Sequence, residues 1–375
     1  MRKKILAGLL AALMLLSLAG CGGGKTQENT NTEPAPQTDP APQQNTQETE
    51  PVETPDPEPE PVLNPLTGLP LADPELVNAR PVAVMLNDLH ADLPQDSMPQ
   101  HGIEAADMIF EYEVEYGITR MVAFFQEPQQ VGTIGSVRSA RACFVETVLG
   151  MDAIYFHAGG SSEAMSMIYQ LDMDEGDEDG SGLYWRDQDR ANLGMAYEHT
   201  LMTSGPNILQ YIENKGFRTE HYEGYEYPIH YVDDATPVSG ETAKHINVSL
   251  SGYKSAVFDY NEDTGLYEIS QSFSGDYPDP YVDGNSGNQV AVSNVLVLRT
   301  VAYNSGDAAG HMVFLLQGGG SGTYFCGGKC EDISWYKGQM SDPFTFYHAD
   351  GTPLDLQKGH TYVCVIREER PVDYN

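Results

Sequence analysis

Between residues 101 and 200 the basic side chains other than histidine are Arg120, Arg138, Arg141, Arg186 and Arg190, with no lysine among them. The whole chain carries 55 Asp+Glu against 20 Lys+Arg. An all-arginine set in so acidic a chain suggests bidentate recognition of carboxylate or phosphate, which the planar guanidinium performs and an ammonium does not. Arg138 and Arg141 lie in VGTIGSVRSARACF (131–144), behind a run of small residues. The apolar spacing of Val137, Ala140, Phe144 and Val148 predicts a helix over 137–149. Arg138 and Arg141 would then share one helix face at i and i+3. They would sit in the first turns, where free N–H groups and the helix dipole favour an anion. Ser136 is the expected N-cap, which would occupy some of those donors. Internal pairing with Glu111, Glu113 or Glu115 competes with ligand binding, and the two can coexist.

A second polar turn, His157-Ala158-Gly159-Gly160-Ser161-Ser162, also follows a strand and opens a helix. In open α/β sheets ligands sit at such turns. If the 118–126 and 153–157 strands are parallel neighbours, His157 and Ser161 face the arginine pair, and Gly159 and Gly160 of the turn between them are ligand-binding candidates with them. Ser161 is a candidate nucleophile, but G-x-S-x-G is absent, and a plain helix cap explains the residue as well. A third element is Trp185-Arg186-Asp187-Gln188-Asp189-Arg190 with Glu198-His199-Thr200. Arg186, Asp187 and Arg190 are ligand candidates on a loop, or pair with one another as Arg186–Asp189 and Asp187–Arg190. His157 and His199 are candidate general bases near neutral pH. Glu115 is the carboxylate candidate, since two carboxylates on neighbouring strands could serve a glycosidase.

Other chemistries find little support. Glu111, Glu113 and Glu115 on one strand would spread over about 13 Å, too far for one Ca²⁺. Gly318-Gly319-Gly320-Ser321-Gly322 lacks the GK[ST] of a phosphate loop. No zinc ligand set is legible, and neither a metal nor a cofactor is expected. Cys326 and Cys330 could close a small disulfide across a hairpin. Cys143 reads as a small buried hydrophobe.

These residues need elements to hold them. Pro81–Leu86 reads as a buried strand. MIFEYEVEY (108–116) alternates at period two, with Met108, Phe110, Tyr112, Val114 and Tyr116 on one face. ITRMVAFFQ (118–126) is its expected hairpin partner. DAIYFH (152–157) is another strand, with helices expected at 163–171 and 205–215. Strand–loop–helix recurrence argues an α/β domain with a mixed sheet over 63–222. From 223 to 375 short strands at regular spacing argue a β-rich, mainly antiparallel domain: 255–260, 266–270, 290–298, 311–317, 322–326, 344–347 and 361–366.

The N-terminus reads as a secretory signal over 1–20: Met1-Arg2-Lys3-Lys4, then an apolar run from Ile5 to Leu18. Leu18-Ala19-Gly20-Cys21 is similar to a bacterial lipobox, which implies cleavage before Cys21 and lipid on its thiol. Residues 21–62 form a linker. Between Lys25 and Pro61 lie nine prolines, nine acids and no aromatic, a composition that cannot offset its ordering entropy. The formal charge is −35. Losing the signal removes three cations and makes it more negative. Nucleic acid is therefore an unsuitable partner, and membrane contact is expected through the lipid alone.

RPVAVMLND (80–88), YGITRMVAFFQ (116–126), VGTIGSVRSAR (131–141), AIYFHAGGSSEA (153–164), YWRDQDR (184–190) and GGGSGTYFCGGKCEDISWYKG (318–338) resemble the YerB-like bacterial lipoproteins. The likeness runs from about Asn64 to Ile366. It implies an N-terminal α/β and a C-terminal β-rich part, both domains of unknown function (DUF3048), outside Gram-positive cells. It implies no catalytic residue. Members of that family usually read YFRDGK where this chain has Tyr324 to Lys329, and PHN where it has Glu198-His199-Thr200. The cysteine pair is thus a departure, which speaks against a family-wide role for Cys326 and Cys330.

The expectation is a lipid-anchored protein on the extracytoplasmic face of the membrane. It would bind an anionic envelope ligand, a peptidoglycan fragment or wall polymer, in an Arg-lined cleft of the α/β domain. A hydrolase using the same cleft is the alternative, with His157 or His199 as base. A scaffold for cell-wall enzymes, working through the β-rich domain, is the third.

Overall fold

In the computed structural model, residues 60–178 and 180–375 are described. The signal, Cys21 and nearly all of the linker lie outside them. Val82–Asp88 and Thr119–Phe125 are buried at every position. Continuous apolar runs of this kind need cover on both sheet faces, and alternation divides them between two cores. Val82, Val84, Leu86, Met121 and Ala123 pack with Ile246, Phe258 and Ile269. Ala83, Met85, Val122 and Phe124 pack on the other face with Phe144, Val148 and Ile168.

The sheet between those cores has eleven strands. Its middle runs Asn294–Thr300, Thr361–Arg367, Met108–Glu113, Thr119–Phe125, Val82–Asp88 and Ile154–Phe156. Met108–Glu113 and Thr119–Phe125 form the expected antiparallel hairpin. Met108–Glu113 pairs in parallel with Thr361–Arg367, so one sheet joins strands from the 63–222 and 223–375 stretches. A six-stranded antiparallel sheet, including His245–Ser249, Lys254–Asn261 and Leu266–Phe273, supplies one cover. The Ala142–Gly150 and Ser162–Gln170 helices supply the other. The fold is thus the mixed sheet with few helices, followed by antiparallel strands, that the sequence indicated.

Several local expectations are corrected. The 118–126 and 153–157 strands are not neighbours. Val82–Asp88 lies between them, antiparallel to the first and parallel to the second. The MIFEYEVEY strand stops at Glu113; Glu115–Gly117 is a 3-10 turn in which Tyr116 adopts a φ of 59° and is exposed. The disulfide between Cys326 and Cys330 is not formed, and both thiols are free and buried. Cys326 lies opposite Lys329 and Cys330 opposite Phe325. That one-residue offset sends the two side chains to opposite sheet faces, and they join different cores.

Candidate functional site

The expected helix over 137–149 begins only at Ala142, with Arg141 in the N-cap position and making no side-chain cap bond. Val137 to Arg141 is stitched between two neighbours instead. The Arg138 N–H donates to the Met85 carbonyl at 3.0 Å, and the Asn87 N–H to that of Ser136 at 3.0 Å. On the other side Ala140 donates to Gly159 at 2.9 Å and Ala158 to Arg138 at 3.0 Å. Ser136 is therefore no cap. In extended chain, residues three apart point to opposite sides, so Arg138 and Arg141 diverge. The two glycine-bearing turns do touch, through these backbone bonds rather than through parallel strands.

Arg141 turns toward Glu115. Its Nε donates to Oε2 at 2.8 Å, and its Nη2 bonds Oε1. Arg120 donates to the same Oε1 at 2.8 Å and to the Ser139 carbonyl at 3.0 Å. All three side chains are buried. Burial alone would raise the Glu115 pKa. The Arg141 hydrogen bonds and the charges of Arg120 and Arg141 outweigh it and hold the carboxyl at about 2. Glu115 is an ionised clamp for two arginines, and the internal use of Arg141 is the one realised.

Arg138 has no such carboxylate. Its Nη1 reaches the Glu198 carbonyl at 3.5 Å, and its buried Nε has no hydrogen-bond partner among the described residues. Glu198, whose charge is the largest carboxylate influence on it, is exposed. Next in sequence is His199, 1% exposed. Its Nδ1 lies 2.7 Å from the Asn87 amide nitrogen, and the Asn87 oxygen accepts from the Asp88 N–H at 3.0 Å. That fixes the Asn87 amide as donor and Nδ1 as acceptor. The neutral ring then carries its proton on Nε2, which is buried and unpartnered. Burial, then the Arg138 charge, push His199 down to about 4. Two buried donors, Arg138 Nε–H and His199 Nε2–H, thus lack an acceptor. Among the described residues, Arg120 Nε, Arg186 Nε and Arg190 Nε are further buried side-chain nitrogens without a hydrogen-bond partner, as are Arg367 Nε, Arg370 Nε and His157 Nε2.

The remaining candidates serve the scaffold. His157 is fully buried, with Nδ1 2.9 Å from the Gly159 carbonyl and Nε2 3.4 Å from Glu175 Oε2. It faces acids, not the arginines. Gly159 takes a φ of 62°, and its N–H donates to Asp177 at 2.6 Å. Gly160 packs against Ala140, where a Cβ would come within 3.3 Å. Ser161 caps the Ser162–Gln170 helix by accepting from the Ala164 N–H at 3.2 Å. Arg186 pairs with Glu178 at 2.7 Å and stacks on Tyr197, not with Asp189. Asp187 caps the Gln188–Leu193 helix through the Arg190 N–H. The Arg190 guanidinium is buried and binds the carbonyls of Ser97, Pro99 and His199. Of Arg138, Arg141, His157 and His199, the Arg138 charge reaches both Arg141 and His199, while His157 is turned to Glu175 and Asp177. Asn87 was missed, since its only sequence signal was a polar end to an apolar strand.

Comparison with known proteins places these residues in a family. Residues 66–218 match the family described as "Protein of unknown function (DUF3048) N-terminal domain". Residues 246–363 match the corresponding C-terminal domain. The chain is 30% identical over 306 residues to "Putative lipoprotein YerB" of Bacillus subtilis (strain 168), covering 80% of this chain and 85% of that one. The crystal structure of YerB protein from Bacillus subtilis is similar at a TM-score of 0.68 and 25% identity, over 83% of this chain and 99% of that chain.

Proposed function

The chain belongs to the DUF3048 family, whose domains are described as of unknown function, and on that premise we propose that it is a lipid-anchored extracytoplasmic protein binding an anionic envelope ligand at Arg138 and His199. The relative's name as a lipoprotein and the lipobox-like Leu18-Ala19-Gly20-Cys21 support the anchor. The observation that carries the site is the pair of buried donors without an acceptor, Arg138 Nε and His199 Nε2. A buried donor left unpaired costs about 1–3 kcal/mol, and an anion bound there would supply the acceptors these donors lack. Arg120, Arg138 and Arg141 share electrostatic range with the single buried carboxylate of Glu115. That local excess suits an anion in a chain of net charge −35.

The hydrolase alternative lacks a matching geometry. Ser161 is bonded as a cap, and no hydrogen bond joins it to His157 or His199. A neutral His199 donating from Nε2 suits binding better than proton abstraction.

The test is calorimetric binding of a muropeptide and of a phosphodiester wall polymer to the wild type and to Arg138→Ala. A charged hydrogen bond contributes about 1.5–3 kcal/mol, so the variant should bind roughly ten- to a hundredfold more weakly. Equal affinity in both proteins would remove Arg138 from the site. Arg186→Ala, whose guanidinium is held by Glu178, should bind like wild type.

A further inference from the structure

Lys254 is a lysine with no exposed surface on its side chain. It opens the Lys254–Asn261 strand of the six-stranded sheet and points into the eleven-stranded one. There its Nζ contacts Asp88 Oδ2 and lies 2.5 Å from Glu111 Oε1. Both carboxyl side chains are also wholly buried. Glu111 is fixed by the Thr119 hydroxyl at 2.5 Å and the Tyr362 hydroxyl at 2.6 Å. Asp88 Oδ2 accepts from Gln271 at 3.2 Å, while Asp88 Oδ1 has no partner. Phe273 lies 5.4 Å from Nζ, and Met121 contacts the Tyr281 and Tyr362 hydroxyls around the group. One ammonium against two carboxylates would leave a net charge in this apolar pocket, at a cost of several kcal/mol.

We propose that Lys254 and Asp88 condense into an intramolecular amide that covalently joins the two sheets, with Glu111 relaying the proton. The Lys254 amine attacks Cγ of the Asp88 carboxylic acid. The N–C bond forms and one C–O bond of Asp88 breaks. Glu111 takes the proton that the nitrogen loses and returns one to the departing oxygen, which leaves as water. Nothing is oxidised or reduced, and no co-reactant is needed. The starting forms suit the step. Burial pushes Lys254 well below its usual range, toward the neutral nucleophile. Burial also raises Glu111 to about 7, against the opposing bonds from Thr119 and Tyr362, so that it can both give and take a proton. The amide is neutral and cannot ionise, and with Oδ1 as the departing oxygen it also removes the unpartnered atom. It would close the chain between residues 88 and 254 with no cysteine, which suits an exported protein whose four described thiols are free.

Peptide mapping of the full chain, denatured and reduced, decides the matter. The expected result is a protease fragment carrying residues 88 and 254 joined, lighter than its two parts by one water, with trypsin failing to cut after Lys254. Asp88→Ala should restore cleavage there. Glu111→Gln should leave the two segments separate. If Glu111→Gln does not fold, the wild-type map still decides. Unlinked fragments ending at Lys254 in the wild type would overturn the proposal. A cross-link surviving in a folded Glu111→Gln protein would overturn the role of Glu111.

Discussion

Replacing Glu115 by Gln tests how the two inner arginines are held. The wild-type carboxyl titrates at about 2 where an ordinary glutamate has 4.5. A gap of about 2.5 units at about 1.36 kcal/mol each makes the charge stabilising by about 3 kcal/mol at neutral pH. Glu115 is only 8% exposed, so solvent screens little of this. The figure agrees with the roughly 3–5 kcal/mol lost when one partner of a buried pair is removed. For about 300 folded residues, each kcal/mol moves Tm by about 1.5 °C, so Glu115→Gln should melt about 5 °C lower. The sign with pH also follows. A depressed carboxylate stabilises above its unfolded pKa, and that stability is lost as pH falls toward the folded value. The gap between wild type and variant, read by calorimetry or urea unfolding, should be full at pH 7 and narrow between about 4.5 and 2. A variant melting within about 1 °C of wild type at pH 7 would refute the clamp, since even one net charged hydrogen bond exceeds that.

Other expectations are simpler. His199, held at about 4 against an ordinary 6.5, is protonated more readily unfolded than folded. Stability should therefore fall as pH drops from about 6.5 toward 4, and His199→Gln should flatten that slope in urea titrations. Arg190→Ala strands the carbonyls of Ser97, Pro99 and His199 and should cost about 3 kcal/mol by urea unfolding. At Gly205 a Cβ would lie 1.6 Å from the Pro128 carbonyl oxygen, so Gly205→Ala should lower the urea midpoint by the equivalent of about 2–3 kcal/mol. Four free thiols should react among Cys143, Cys326, Cys330 and Cys364 once the chain is denatured without reductant.

The strands were legible because burial leaves a direct trace in composition. PVAVML reads as a covered run and is one, and ITRMVAFFQ reads as the hairpin partner of MIFEYEVEY and is that. The Ser161 cap and the Gly205–Lys215 helix were legible because capping is local. What failed was non-local. Val137 to Ala140 has helical spacing, yet bonds to Met85 and Gly159 hold it extended, and tertiary pairing outweighs so weak a propensity. That error moved Arg138 and Arg141 onto one face when they point apart. The join between Met108–Glu113 and Thr361–Arg367 spans some 250 residues, and no local pattern encodes such a parallel pair. Lys254 and Asp88 look like ordinary strand-end residues in sequence. Their meeting depends on how one sheet covers the other.

The most direct measurement on the Arg138–His199 site is the titration of the His199 imidazole by NMR, with and without inorganic phosphate. An anion accepting from Nε2 and Arg138 favours the charged ring. The midpoint should therefore rise from about 4 as phosphate is added, and Arg138→Ala should abolish the rise. A midpoint that phosphate leaves in place in the wild type would contradict the anion site.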